Sequence, residues 1–168
     1  MTDNRVIETL KEMLEQRGYT VEDKSEGMIG SKRGRSSIIV FFNLAPKVNN
    51  ERIQDYITRM TNLDVKHSII VYTDSVTSQA QKVIDELQDM RMELFHMNSL
   101  RYNITKHRLV PKHTQLTKAE AKAFKETYGT KIPILMYTDP VARFYDFQRG
   151  DVIRVNRPNG FVCFRVVK

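Results

Sequence analysis

The chain has 168 residues, 40% of them hydrophobic, with no Trp, one Cys and a formal charge of +7. That length allows one or two small domains, each with a core of its own. Cys163, standing alone, excludes an internal disulfide or a multi-thiolate zinc site, and the absence of any apolar run of about eighteen residues excludes a membrane-spanning helix.

The amino terminus is polar and acidic, unlike a signal peptide, and a reducing compartment fits. Charge is divided unevenly. Residues 1–98 carry 13 Lys/Arg against 15 Asp/Glu, whereas residues 99–168 carry 14 against 5. The shift places a domain boundary near Asn98–Lys106. A basic half points to nucleic acid or an acidic protein surface, or else to a solvated face.

The amino-terminal half reads as α/β. Val6, Ile7, Leu10, Met13 and Leu14 predict a helix over 4–17, stopped by Gly18. Tyr19 to Glu22 reads as a short strand, and Gly27, Gly30 and Gly34 mark a hairpin or loop through Arg35. Ile38 to Phe42 is an apolar run suited to a buried strand. Asn49 or Asn50 caps a second helix facing inward through Ile53, Tyr56, Ile57, Met60 and Leu63. Ser68 to Tyr72 is the next buried strand. Asp74 or Ser75 opens a third helix with Ala80, Val83, Ile84 and Leu87 inward, and Met92 to Phe95 is a last strand. Strands separated by helices imply a three-layer or open α/β sheet.

The carboxy-terminal half reads as α+β. Thr117-Lys118-Ala119-Glu120 is a capping box, in which hydroxyl and carboxylate satisfy free backbone amides. Ala121, Phe124, the stem of Lys125 and Tyr128 then share a face until Gly129. Asp139 before Pro140 is a helix start, a capping carboxylate followed by Pro at the first helical position. Gly150 turns the chain into an alternating strand, and Asn159-Gly160 predicts a two-residue hairpin turn. That turn pairs Val155 with Phe164 and Ile153 with Val166, sets Arg154 opposite Arg165, and gathers Ile153, Val155, Val162, Phe164 and Val166 on one face.

Catalytic patterns are sparse. Asp64-Val65-Lys66 and Glu22-Asp23-Lys24 have the carboxylate-x-Lys spacing of metal-dependent nucleases, but such triplets are common on charged surfaces. His107 and His113 lack a third metal ligand at plausible spacing, and His96 reads as a packing residue. No phosphate-binding glycine loop is present. Cys163 lies in a strand without a base and reads as packing. No cofactor or metal is expected.

One family resemblance runs through the chain. Leu109-Val110-Pro111-Lys112-His113, the capping segment after it, Ile132-Pro133, Asp139-Pro140-Val141-Ala142-Arg143, Arg149-Gly150-Asp151-Val152-Ile153-Arg154-Val155 and the closing Phe164-Arg165 strand resemble, in order, the fifth subunit shared by the eukaryotic nuclear RNA polymerases. The archaeal counterpart in that family has one domain and lacks the amino-terminal jaw. Gln16-Arg17-Gly18-Tyr19, the Phe42 to Pro46 strand exit and Ile69-Ile70-Val71-Tyr72 before Thr77 resemble the jaw domain of the eukaryotic members. The resemblance implies a jaw-like domain over 1–98, an open sheet with flanking helices, and a small α+β assembly domain over 99–168.

It also implies a non-catalytic subunit of a multisubunit DNA-directed RNA polymerase, working in the nucleus. Its partners would be the largest subunit, other polymerase subunits and downstream duplex DNA. Docking on the largest subunit is expected through His107, Val110, Pro111, Lys112, His113, Asp139, Pro140, Arg143, Gly150, Arg154, Arg157 and Arg165. Pro46, Lys47, Thr77, Ser78 and Gln79 are expected nearest the duplex. The sequence departs from the family at Ser78, where Pro is usual, and in two shortened loops, before Ile132-Pro133 and after Arg157. These departures mark a divergent member, such as one encoded by a large DNA virus, which would work in the host nucleus, cytoplasm or virion. The alternatives are a free-standing basic nucleic-acid-binding protein and a metal-dependent nuclease.

Overall fold

The computed structural model describes residues 3–24, 27–32 and 35–168, and the side chains of these outside 23–36. It divides into two compact units, residues 1–102 and 103–168.

In the first unit, helix α1 (Asn4–Gln16) is capped by Asp3, whose carboxylate accepts from the Arg5 N–H. Val6, Leu10, Met13 and Leu14 are fully buried, and Gly18, at φ 84°, ends the helix. Strands β1 (Thr20–Lys24), β2 (Gly27–Lys32) and β3 (Arg35–Asn43) follow as antiparallel neighbours. Most of the glycine-rich stretch is therefore strand; Gly34 lies outside the described residues. Next come β4 (Lys47–Val48), α2 (Asn50–Asn62), β5 (His67–Tyr72), β6 (Ser75–Val76), α3 (Ser78–Glu86) and β7 (Arg91–His96). The main sheet runs β1-β2-β3-β5-β7, with β3, β5 and β7 parallel.

Parallel neighbours require crossovers, and α2 and α3 supply them. Ile53, Tyr56 and Met60 of α2, with Ala80 and Ile84 of α3, pack on Ile39, Phe41, Ile70 and Met92. Because side chains alternate along a strand, Ile38, Val40, Ile69 and Val71 face the other way, and they are equally buried. Arg17, next after α1, reaches that opposite face at Glu93 of β7. The sheet thus carries helices on both sides. Fully burying each such aliphatic side chain contributes roughly 1.5–3 kcal/mol.

Two expectations in this unit are corrected. Helix α3 opens at Ser78, not at Asp74 or Ser75, because Ser75 and Val76 are drawn into β6 and Thr77 is the cap. Leu63 is 41% exposed, because α2 ends there and the turn through Asp64, at φ 51°, carries it off the apolar face.

One ionic cluster lies inside this unit. The Arg17 guanidinium donates to both Glu93 oxygens at 2.8 and 3.0 Å, and His67 Nε2 lies 2.7 Å from Glu93 Oε1. Burial pushes the Glu93 carboxyl up, but the Arg17 charge and the hydrogen bonds from His67 and Arg17 outweigh it and hold the pKa at about 2.

The second unit holds β8 (Lys112–Gln115), α4 (Lys118–Tyr128), β9 (Ile134–Leu135), α5 (Pro140–Tyr145), β10 (Val152–Asn156) and β11 (Val162–Val167), in sheet order β8-β10-β11-β9. The Thr117–Glu120 capping box forms as expected, and its hydrogen bonds lower the Glu120 pKa. Asp139 caps α5 by accepting from the Val141 N–H at 2.8 Å, with Pro140 in the first turn. Leu135, Ala142, Phe147, Ile153, Val155 and Val167 form the core, with Cys163 half-buried against it. Tyr128 lies beside Phe124, with ring centres 4.9 Å apart, and is 74% exposed.

The hairpin departs from the two-residue turn. Arg157 N–H donates to Phe161 O and Gly160 N–H to Arg157 O, leaving Pro158, Asn159 and Gly160 as the loop, with Gly160 at φ 81°. A two-residue turn needs an N–H from the residue before Asn159, and Pro158 has none. Its fixed φ suits the second position of a type I turn instead, with a glycine in the left-handed region closing the loop. The register moves by one. Arg154 is opposite Phe164, Ile153 opposite Arg165 and Val155 opposite Cys163. Val162, Phe164 and Val166 therefore leave the expected core face, and Cys163 and Val167 take it.

Two outcomes follow from this packing. A depressed carboxyl pKa contributes stability that is complete above about 4.5 and is lost as pH falls toward 2. Glu93→Gln should lower stability at pH 7 by about 3 kcal/mol, with the deficit shrinking below pH 4.5 in urea unfolding. At α3, Thr77 is extended (φ −71°, ψ 149°), the conformation that a following proline requires. Thermal melts should show Ser78→Pro neutral to about 1 kcal/mol stabilising, whereas Thr77→Ala costs about 1 kcal/mol.

Candidate nucleic-acid and docking interfaces

Parallel strands place the loops that follow them at one end of a sheet, which is where α/β sheets bind ligands. The two loops expected near DNA follow β3 and β5, and they are joined. Lys47 pairs with Ser75 and Val48 with Val76 in a two-stranded parallel ladder, and Thr77 N–H donates to Val48 O at 3.0 Å. Pro46 and Lys47 of one loop, and Ser78 and Gln79 of the other, are exposed, while Val48 and Ala80 anchor them in the core.

The strand exit is fixed from below. Asn43, buried, donates from Nδ2 to Ala45 O at 2.9 Å and accepts from the Tyr56 hydroxyl at 3.3 Å. Tyr56 stacks on Phe41 at 4.6 Å, and burial raises its hydroxyl pKa, so it remains a donor. Asn49 caps α2 and Thr77 caps α3, so two helices begin at this same end, with the positive ends of their dipoles toward solvent. Thr77 Oγ1 accepts from the Ala80 N–H at 3.2 Å. Ser78 takes the first helical position, where proline is favoured because that N–H has no helical partner and the fixed φ of proline suits the helix. The backbone at Thr77 and Ser78 would thus accept either serine or proline at this position.

The residues expected to dock on a large partner fall into two groups. Asp139, Pro140 and Gly150 serve the fold: a cap, a first-turn proline, and a turn at φ 93° whose N–H donates to Val167 O. His113 lies 2.8 Å through Nδ1 from Pro111 O, and Val110 N–H closes a turn on His107 O. His107, Lys112, Arg143, Arg154 and Arg157 are exposed.

Arg154 and Lys112 lie on the sheet face opposite the core, where Arg154 Nε donates to Asn156 Oδ1 and Asn156 pairs with Lys112. Arg165 is not with them. The shifted register puts it on the other face, and its guanidinium donates to Ile134 O at 3.1 Å. In its place stands Phe164, packed against Phe124 with the rings tilted by 33° and 4.2 Å between centres, with Phe161, 66% exposed, and Val162 nearby in sequence. This aromatic component was hidden by the hairpin register, and Pro158 was the signal that could have revealed it.

The two carboxylate-x-Lys triplets do not form one site. Glu22-Asp23-Lys24 lies on edge strand β1, and Asp64-Val65-Lys66 precedes β5 three strands away. At the usual strand spacing that is about 14 Å.

The chain is similar to known proteins along most of its length. A family model described as RNA polymerase Rpb5, C-terminal domain, matches residues 102–167. The protein named "Putative DNA-directed RNA polymerase subunit 454R" of Invertebrate iridescent virus 6 is 32% identical, over 94% of this chain and 95% of its own. The DNA-directed RNA polymerases I, II, and III subunit rpabc1 of Dictyostelium discoideum is 36% identical, over 73% of this chain and 66% of its own. The DNA-directed RNA polymerase subunit 5-like protein 1 of Arabidopsis thaliana is 29% identical, over 91% and 87%. Agreement along nearly the full length of the viral relative, together with the match of the second unit, places the sequence: the chain belongs to the Rpb5 family of RNA polymerase subunits.

Proposed function

We propose that the chain is a non-catalytic subunit of a multisubunit DNA-directed RNA polymerase. In this reading the unit 103–168 is the assembly domain, docking on the largest subunit through Lys112, Arg154 and Arg157 and the neighbouring aromatic residues. The unit 1–102 is jaw-like and holds Pro46, Lys47, Thr77, Ser78 and Gln79 beside downstream duplex DNA. The observation that carries the reading is the β4–β6 ladder, which joins two loops distant in sequence into one exposed rim at the carboxyl end of the parallel strands.

Charge supports this division of labour. Residues 1–98 have a net charge of −2, too little to hold duplex without help, because affinity for DNA comes mainly from neutralised phosphates. Contact by the rim therefore depends on the assembled enzyme. In the second unit, Lys112, Arg154 and Arg157 answer to acidic or carbonyl groups on the partner subunit. The protein acts wherever its polymerase acts: the nucleus for a cellular enzyme, and the host nucleus, cytoplasm or virion for a viral one.

Affinity purification of the tagged chain from its source cells should recover the largest polymerase subunit in stoichiometric amount. Arg154→Glu combined with Lys112→Glu should reduce that recovery without changing the melting temperature. Recovery of nucleic acid with no polymerase subunit would favour the free-standing binding protein. A fragment of residues 99–168 should melt cooperatively, since it has a core of its own.

A further inference from the structure

A groove of about 890 Å³ runs between α4 and the sheet of the second unit. Its floor is aliphatic: Leu116, Ala121 and the fully buried Val152, with the Leu116 N–H donating to Val152 O at 2.9 Å. Its rim is basic. Lys118, Lys122 and Lys125 line it from α4 at helical spacing, and Arg149 lines it from the opposite wall, its guanidinium 4.9 Å from the Tyr137 ring centre.

The α4 amides do not supply the attraction, because the Thr117–Glu120 box already occupies the helix start. Among the described residues, Lys118 and Lys125 have no acidic partner. Lys122 meets Glu126 only at 3.9 Å, with both side chains mostly exposed, a pairing that contributes little. Helix α4 has no buried residue and Phe124 packs against Phe164. The groove wall is thus a helix whose lysines neither the fold nor an internal carboxylate fully uses.

We propose that this groove is a second docking surface, which takes an acidic, extended segment of a protein partner and seats one of its aliphatic side chains on Leu116 and Ala121. Charge complementarity selects the sign, and the aliphatic floor selects a peptide over nucleic acid, since no aromatic ring lines it for a base to stack upon. Glu126 and Asp151 also line the groove. Their carboxylates can accept from the backbone N–H groups of an extended peptide, donors that a phosphate chain lacks. The surface goes beyond the assembly role proposed above, because Gly150 alone is shared with the residues expected to dock on the largest subunit.

The test uses the full chain and a short fluorescein-labelled peptide of alternating glutamate and leucine, followed by fluorescence anisotropy. The wild type should bind it in a salt-sensitive manner, and Lys118→Glu combined with Lys125→Glu should weaken binding by about tenfold. The milder Lys118→Gln with Lys125→Gln should fall between, with an unchanged far-UV circular dichroism spectrum for both. The charge-reversed chain should still recover the largest subunit, whose absence from the wild-type preparation would instead count against the polymerase reading. No peptide binding, binding indifferent to the reversals, displacement by duplex DNA at equal charge, or loss of the largest subunit on reversal would each overturn the proposal.

Discussion

Parallel pairing of β3 with β5 is the constraint on which the amino-terminal unit depends. Two parallel strands cannot be joined by a tight turn, so the chain must cross over through a helix, and each crossover begins at the carboxyl end of a strand. Both the exit from β3 and the exit from β5 are thereby brought to one end of the sheet. The short β4–β6 ladder then fixes them against each other, and Asn43 fixes the first of them to the core through Tyr56. An exposed rim built this way rests on buried hydrogen bonds and fully buried strands, so its position is set by the sheet.

The carboxy-terminal unit depends on a smaller constraint, the missing N–H of Pro158. It forces a three-residue loop, and a three-residue loop shifts every cross-strand pair by one position. Arg154 is thereby separated from Arg165, which is drawn to the Ile134 carbonyl. Phe164 is brought onto the outer face, where it supports Phe124 of α4. A basic and aromatic outer face, over a core of Ile153, Val155 and Val167, is the combination that protein interfaces enrich.

Much of this was legible in the sequence. Helical spacing in 4–17, the capping box at Thr117 and Asp139-Pro140 each carry a local physical cause, and each element formed where that cause acts. What escaped depended on partners far along the chain. Ser75 and Val76 carry no strand signal of their own; they become β6 only because Lys47 and Val48 lie beside them. The buried Arg17–Glu93 pair joins residues 76 positions apart, and the residues of the α4 groove come from two separate stretches, 115–130 and 149–152. The hairpin was misread for a different reason: Asn159-Gly160 is a strong turn signal, but the proline before it decided the register.

Under the proposed function, the joined rim faces incoming DNA in the assembled enzyme. The most direct test of this placement is site-specific photocrosslinking from Lys47 and Gln79, each replaced by a photoreactive residue, in a polymerase bound to labelled template. A rim beside the DNA should give crosslinks to duplex downstream of the active centre from both positions, and none from the exposed Arg59 on α2. Crosslinks from Arg59 equal to those from the rim, or none from either rim position in an active complex, would contradict that placement.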